Sequence, residues 1–415
     1  MNLDLDPELV DLRGRVAAFV RDEVIPAEGQ AISDEVIAGL RAKARAASIY
    51  GPQLPREYGG LGLGTVAMCV LFEQAGRSFL GPLALHCSAP DEGNMHLLSL
   101  FADDAQKEQY LRPLVEGTIR SCFAMTEPAP GAGSDPTMMQ TRATRTDDTW
   151  EINGRKWFAT GADGAAFAIV MATTEPGRAT MFLVPTSTPG YQFIRAIPTM
   201  GGHGLGGHCE LEFRAMRVPD SAVLGKAGEG FRMAQVRLTP ARLTHCMRWL
   251  GVAQRSLEIA VARAKERDAF GKKLAEHQSI QWMLADSEID LHASRLMVMD
   301  AAWRHEQGSD IRHQSSICKV FVAEAVNRVI DRAVQVCGAL GISTDLPLEE
   351  FFREARAFRI YDGPSEVHRM VIARNVLGTA AVTAAGAAAS PPQGLGAART
   401  PPRQPAGTPA VPSEE

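Results

Sequence analysis

Three short segments of this chain combine residue types that could do chemistry. Thr126-Glu127-Pro128-Ala129-Pro130-Gly131-Ala132-Gly133-Ser134-Asp135 is a long loop without regular periodicity. Its Gly and Ser residues expose backbone N–H groups that can approach a ligand closely. Arg267-Asp268-Ala269-Phe270-Gly271-Lys272-Lys273 is a basic, Gly-containing break between two long helical patterns, and its Arg could meet a phosphate. Tyr361-Asp362-Gly363-Pro364-Ser365-Glu366 holds Asp-Gly-Pro-Ser, which is turn chemistry. Ser365 could cap the helix that follows, with Glu366 near its positive end. Taken singly, each segment reads more plainly as a connecting loop, a solvated interhelical turn and a structural turn.

Other signals are weaker. Gly202-His203-Gly204-Leu205-Gly206-Gly207 has the glycines of a dinucleotide loop, but a strand pattern follows it, so a turn is expected. There is no G-x-x-x-x-G-K-[ST] phosphate loop. His203, His208 and Cys209 match no standard zinc spacing. The net charge of −5 supplies no basic excess for nucleic acid. The acidic start Met1-Asn2-Leu3-Asp4-Leu5-Asp6 lacks the features of a signal peptide. No apolar run is long enough for a membrane helix. Seven scattered cysteines, never spaced C-x-x-C, suit reduced thiols in a cytoplasm. Pro412-Ser413-Glu414-Glu415 is no organelle address.

The elements that must position these segments change character along the chain. Residues 1–118 read as helical, with Asp34 to Arg45 patterned as a half-buried helix. Residues 119–226 read as β-structure. Cys209 to Val218 alternates polar and apolar positions, and Asn153-Gly154 between Trp150-Glu151-Ile152 and Lys156-Trp157-Phe158 predicts a hairpin. Residues 227–378 are helical again. Cys246, Trp249, Leu250, Ala253, Leu257, Ala260, Val261 and Ala264 form one apolar face, and Ile280, Leu284, Leu291 and Val298 another. Such stripes are read as core. Residues 379–415, rich in Ala, Pro and Gly, are expected to be a disordered tail. Helices, then strands, then helices predict an α+β protein.

In order and setting, the three segments resemble those of the acyl-CoA dehydrogenase family. The resemblance runs from the start to about residue 378. It is carried by Leu54-Pro55-Arg56-Glu57-Tyr58-Gly59-Gly60-Leu61-Gly62, by Phe123-Ala124-Met125-Thr126-Glu127-Pro128 and by Gly131-Ala132-Gly133-Ser134-Asp135, with Ala129 and Pro130 inserted between the last two. Ile152 to Lys156 and Phe158-Ala159-Thr160-Gly161 resemble the next strand pair. Arg267 with Phe270-Gly271-Lys272 and His277-Gln278, then Gln335 to Gly341, then Arg359-Ile360-Tyr361-Asp362-Gly363 complete the set.

The resemblance implies a helical N-domain, a central β-barrel-like domain and a C-terminal four-helix-bundle domain, with FAD between the last two. Phe123, Met125, Thr126, Ser134, Phe158 and Thr160 would line the isoalloxazine side. Arg267, Phe270, Gln278, Gln335 and Gly338 would reach FAD across a subunit interface, and Gly363 and Glu366 are also assigned to the cofactor. Ser134 and Arg242 would lie near the CoA thioester. The family reaction would have Asp362 take the α-proton of an acyl-CoA while the β-hydride passes to flavin, giving the trans-2-enoyl-CoA. A carboxylate in an apolar pocket has a raised pKa, which would suit such a base. An electron-transferring flavoprotein is the expected electron acceptor, and a homodimer or homotetramer the expected assembly, serving fatty acid metabolism in the cytoplasm.

Two departures matter. Most relatives have Glu where this chain has Asp362, which loses roughly an ångström of reach. Some carry the base on a central helix instead, before the equivalent of Arg242, but here that residue is Ala241. Pro364 and Glu366 replace the more usual Thr and Gln. Asp362 to His368, with Ser88 to Met95, resembles one branch whose animal members carry an added kinase-like domain and are linked to 4-hydroxyacyl-CoA breakdown. An oxidase, a γ-elimination enzyme on 4-hydroxyacyl-CoA derivatives, and a non-catalytic acyl-CoA-binding scaffold stand as the alternatives.

Overall fold

Ser33 to Ala46 shows how local chemistry starts an element. The Ser33 hydroxyl accepts from Val36 N at 3.2 Å, Asp34 and Glu35 lie in the first turn, and Lys43 and Arg45 in the last. Charges of these signs suit the helix dipole, and the face bearing Ile37, Leu40 and Ala44 is buried. The computed structural model describes residues 5–30, 32–201 and 204–378. The tail from 379, and the first two residues of the Gly202–Gly207 turn, lie outside the described residues.

Among the described residues, seven α-helices precede the sheet: α1 (Pro7–Phe19), α2 (Asp34–Ala46), α3 (Thr65–Ala75), α4 (Leu80–Ala84), α5 (Asp91–Phe101), α6 (Asp104–Gln106) and α7 (Arg112–Glu116). The strands are β1 (Ser121–Ala124), β2 (Arg142–Thr146), β3 (Thr149–Thr160), β4 (Phe167–Glu175), β5 (Arg178–Pro185), β6 (Tyr191–Ala196), β7 (His208–Pro219) and β8 (Val223–Leu224). They form one sheet in the order β6-β7-β3-β2-β4-β5-β8, with β1 parallel to β4. Helices α8 (Gly230–Glu266), α9 (Gln278–Glu306), α10 (Arg312–Cys337), α11 (Leu348–Ala357) and α12 (Ser365–Val376) follow. Between α8 and α9 a small hairpin pairs β9 (Asp268–Ala269) with β10 (Lys272–Lys273). Helix α10 packs on α8, α9, α11 and α12. The α+β class and its helix–sheet–helix order are as the sequence predicts.

Strand β4 joins the two cores. Phe167, Ile169 and Met171 face the core shared with the helices, and Ala168, Val170 and Ala172 face the core of the sheet itself. Period-two alternation with both faces buried explains why this strand reads as an unbroken apolar run.

Two local expectations are corrected. Asn153-Gly154 does not turn a hairpin; it lies inside the 12-residue β3. The turn is at Asp147-Asp148, where Thr146 pairs with Thr149. At Asn153 the register with β7 shifts between Ile152 and Gly154, and the Asn153 side chain accepts from Ala215 N at 2.7 Å. A Cβ at Gly154 would stand 2.6 Å from Thr141 Cα, so glycine serves a close approach at a β-bulge. Ser365 does not cap α12: Pro364 holds the N-cap position without a side-chain hydrogen bond, and the Ser365 hydroxyl is buried and donates to Glu324 Oε1 at 3.3 Å.

Candidate active site

Asp362 stands on the loop between α11 and α12 with a φ of 54°, a left-handed conformation that Asp tolerates better than most residues. Gly363 follows at φ 100°, and a Cβ there would come 2.6 Å from His368 Nε2. Glycine is therefore needed for the turn itself. Three helices hold the loop backbone. Arg242 Nε of α8 donates to the Asp362 carbonyl at 3.0 Å. His368 Nε2 of α12 lies 3.1 Å from the same oxygen, and since a carbonyl only accepts, that nitrogen carries the proton. Lys319 Nζ of α10 donates to Phe358 O at 2.6 Å and to Gly363 O at 3.4 Å.

The side chain is mostly enclosed. Oδ2 lies 3.2 Å from His245 Nε2, yet it has no hydrogen bond of adequate geometry. Burial pushes the carboxyl pKa up, but His245, Arg237, Arg242 and Lys319 outweigh it and hold the group below the ordinary aspartate value. His245 is itself pushed down to about 3, first by its own burial and next by Arg248. A ring held that low is neutral at neutral pH, so the charges that face the carboxylate there are those of Arg237, Arg242 and Lys319. This corrects the expectation of a raised base pKa: the pocket in the free protein is lined by cations and not only by apolar groups.

Arg237 links three regions. It is buried, donates to Asn94 Oδ1 at 3.2 Å and to Pro90 O at 3.3 Å, and its guanidinium sits 4.4 Å from the Phe123 ring centroid. Phe123, on β1, is thereby tied to α5 and α8. Helix α8 also sends Trp249 Nε1 to the Tyr361 hydroxyl and Arg248 to Cys87 O at 2.6 Å.

On the β-domain, Met125 and Thr126 run beside Trp157 and Phe158, with Trp157 N donating to Thr126 O at 3.0 Å. A buried ion pair fastens the two segments. Lys156 Nζ reaches Glu127 Oε1 at 2.8 Å and Met125 O at 2.9 Å. The Glu127 carboxylate also accepts Ala132 N, Gln140 N and Thr141 N. Phe158 is held at φ 50° with its ring part-exposed beside Trp157. The Thr160 hydroxyl lies 2.9 Å from His208 Nδ1. An open aromatic pair next to backbone and hydroxyl groups suits the plane and polar edge of a flavin ring. Ser134 is exposed in its loop.

Arg267, Phe270, Gln278, Gln335 and Gly338 are exposed at the far end of the C-domain. Along α8, Arg267 lies about 37 Å from Arg242. The structure therefore does not bring this group to the Asp362 pocket of the same chain. Glu366 is exposed on the first turn of α12. Sequence reasoning missed His245, Arg237 and Lys319. For His245 a usable signal existed, since it follows Arg242 by three residues on one helix and so shares its face.

With this geometry in place, comparison with known proteins is decisive. The family models for the acyl-CoA dehydrogenase N-terminal, middle and C-terminal domains match residues 6–118, 122–216 and 228–377. The chain belongs to the acyl-CoA dehydrogenase family. It is 39% identical over 396 residues to "Probable acyl-CoA dehydrogenase FadE2" of Mycobacterium tuberculosis, covering 90% of this chain and 96% of that one. It is 36% identical to acyl-CoA dehydrogenase family member 11 of Gallus gallus, covering 87% of this chain and 49% of the relative, so it spans about half of that protein. The butyryl-CoA dehydrogenase structure from Megasphaera elsdenii superposes with a TM-score of 0.81 at 30% identity, covering 91% of this chain and all of the other. The FAD complex of PigA shares the fold, with a TM-score of 0.80 at 26% identity, covering 91% of this chain and 99% of that one. The protein is an FAD-dependent acyl-CoA dehydrogenase. Among the described residues no helix is long and apolar enough to cross a membrane.

Proposed function

We propose that this acyl-CoA dehydrogenase converts its substrate to the trans-2-enoyl-CoA, with Asp362 as the base that removes the α-proton. One observation carries the reading: a buried carboxylate on a loop whose backbone is fixed by α8, α10 and α12, faced by Arg237, Arg242 and Lys319, whose charges favour its ionised form. An ionised carboxylate can accept a proton at neutral pH. Its low pKa makes it a weak base, so the α-C–H must be acidified by donors to the thioester carbonyl that strengthen as enolate charge develops. FAD, when bound, supplies the acceptor for the β-hydride.

Phe123, Met125, Thr126, Ser134, Phe158 and Thr160 would hold the flavin ring of their own subunit, with Gly363 and Glu366 at its other border. Ser134 and Arg242 would serve the thioester. Arg267, Phe270, Gln278, Gln335 and Gly338 would reach the FAD of a neighbouring copy in a homodimer or homotetramer. Exposed Phe270 (98%), Trp282 (63%) and Ile289 (64%) support such an assembly. An electron-transferring flavoprotein would take the electrons. Residues 1–118, 119–226 and 227–378 are the proposed domains.

The test is anaerobic mixing of the FAD-loaded protein with straight, branched and hydroxylated acyl-CoAs. At least one should bleach the flavin. Asp362→Asn should keep FAD while reduction slows by at least about a hundredfold. Reduction by Asp362→Asn at near the parent rate would remove Asp362 from the role of base.

A further inference from the structure

We infer that His245 is a positioning residue for the base: its Nε2–H holds Asp362 Oδ2, leaving the other carboxylate oxygen to take the α-proton. This rests on Asp362 being the base.

The geometry comes first. Oδ2 is buried and has no hydrogen bond, yet Nε2 of His245 is 3.2 Å away. Buried carboxylate oxygens are rarely left without a donor. A contact of this length but poor alignment is what catalytic hydrogen bonds often show before substrate arrives. None of the hydrogen bonds that the neighbouring cations make reaches Oδ2. Arg242 Nε is on the Asp362 carbonyl, Lys319 Nζ on Phe358 O and Gly363 O, and Arg237 on Asn94 and Pro90. The imidazole is itself set by its surroundings. Its ring packs 5.5 Å from that of Tyr361, whose hydroxyl accepts from Trp249 one turn further along α8. Helix α8 thus grips residues 361 and 362 from two successive turns.

The charge state fixes the role. His245 is faced by Arg237 and Arg248 of α8, Lys319 of α10, and Tyr361 and Asp362 of the loop. Its burial, with those cations, keeps it neutral. A neutral ring beside a carboxylate donates through the nitrogen that faces it. It does not relay the proton; the proton taken from the substrate goes to Asp362, which exchanges it with solvent. The arrangement also bears on the short side chain. A glutamate at 362 would carry its extra methylene towards a ring already 3.2 Å from Oδ2, so lengthening the base should not help while His245 is present.

The experiment uses the FAD-loaded protein without oxygen and follows deuterium entering the α-carbon of butanoyl-, dodecanoyl- and octadecanoyl-CoA from D2O, alongside flavin reduction. His245→Val should slow exchange by about a hundredfold, the cost of misplacing a catalytic group by about an ångström, with kcat falling and KM little changed. His245→Gln, which restores an N–H at similar reach, should come within about tenfold of the parent, on that same scale. Asp362→Glu should be slower than the parent, and Asp362→Glu with His245→Val should be faster than either single variant. FAD content and melting temperature report folding; if His245→Val fails to fold, the Gln variant and the double variant carry the test. Parent-like exchange by His245→Val overturns the inference, as does a Gln variant as slow as the Val variant, or a double variant slower than both singles. If Asp362→Asn exchanges the α-hydrogen and reduces its flavin at near the parent rate, the assignment of Asp362 falls and this inference with it.

Discussion

Glu127→Gln isolates the clamp behind the proposed flavin face. The change keeps the shape of the side chain and removes its charge. Lys156 and Glu127 have 0% and 2% of their side chains exposed, so solvent screens little of their 2.8 Å contact. Removing one partner of a buried pair costs about 3–5 kcal/mol, because the other charge is left uncompensated. The amide also presents a donor where the carboxylate accepts three backbone N–H groups and Lys156. Lys156 lies at about 8, lowered by burial and partly restored by Glu127. Without Glu127 it falls further, so the unfolded chain binds the extra proton and the penalty is greatest in mild acid and shrinks as pH rises towards 8. The assay is thermal melting with flavin fluorescence at several pH values. A loss of about 5–10 °C at neutral pH is expected, with weaker FAD retention because the Pro128 to Gln140 loop loses its anchor. Glu127→Gln with Lys156→Met removes the stranded cation and should recover about half of the loss. A Glu127→Gln protein that melts within about 2 °C of the parent and keeps its FAD would refute this account of the clamp.

Stability should also fall steeply in acid. His86, His245 and His368 are pushed down to about 3, about 3 and about 4, chiefly by burial. Their contribution is complete above the unfolded value near 6.5 and is lost as pH falls towards 4, with a slope reaching about 4 kcal/mol per pH unit. Urea midpoints that are flat between about pH 7 and pH 5 would contradict this. Gly154→Ala should destabilise by about 2 kcal/mol or more, since its Cβ would meet Thr141 Cα at 2.6 Å. Gly177→Ala, with nothing within 4 Å of its Cβ, should cost only the left-handed backbone penalty of about 1 kcal/mol. Denaturant melts of the two variants compare them directly.

Much of this was legible because periodicity reports one face of an element at a time. Leu291 and Val298 lie in a stripe and are buried in α9; Cys209, Leu211 and Phe213 alternate and are buried in β7. What failed was whatever depends on a second element. Asn153-Gly154 has the same residues whether it turns a hairpin or bulges against β7, and only the partner decides. The protonation of Asp362 depends on its burial and on groups from α8 and α10 that lie far from it in the chain. His245 lies between the apolar positions of its helix, so a search for the core passes over it, although spacing places it beside Arg242.

Helix α8 also makes length a kind of information. It runs 37 residues, with Pro240 inside it, from beside the β-domain through Arg242 and His245 to the Arg267 hairpin. A single residue inserted between Arg242 and Arg267 would swing everything beyond it by about 100° and shift it by about 1.5 Å. The hairpin that begins at Arg267 would then aim elsewhere while the Asp362 pocket stayed intact. A side chain in this stretch can be exchanged at local cost, whereas a gap or an extra residue changes which direction one end of the molecule faces.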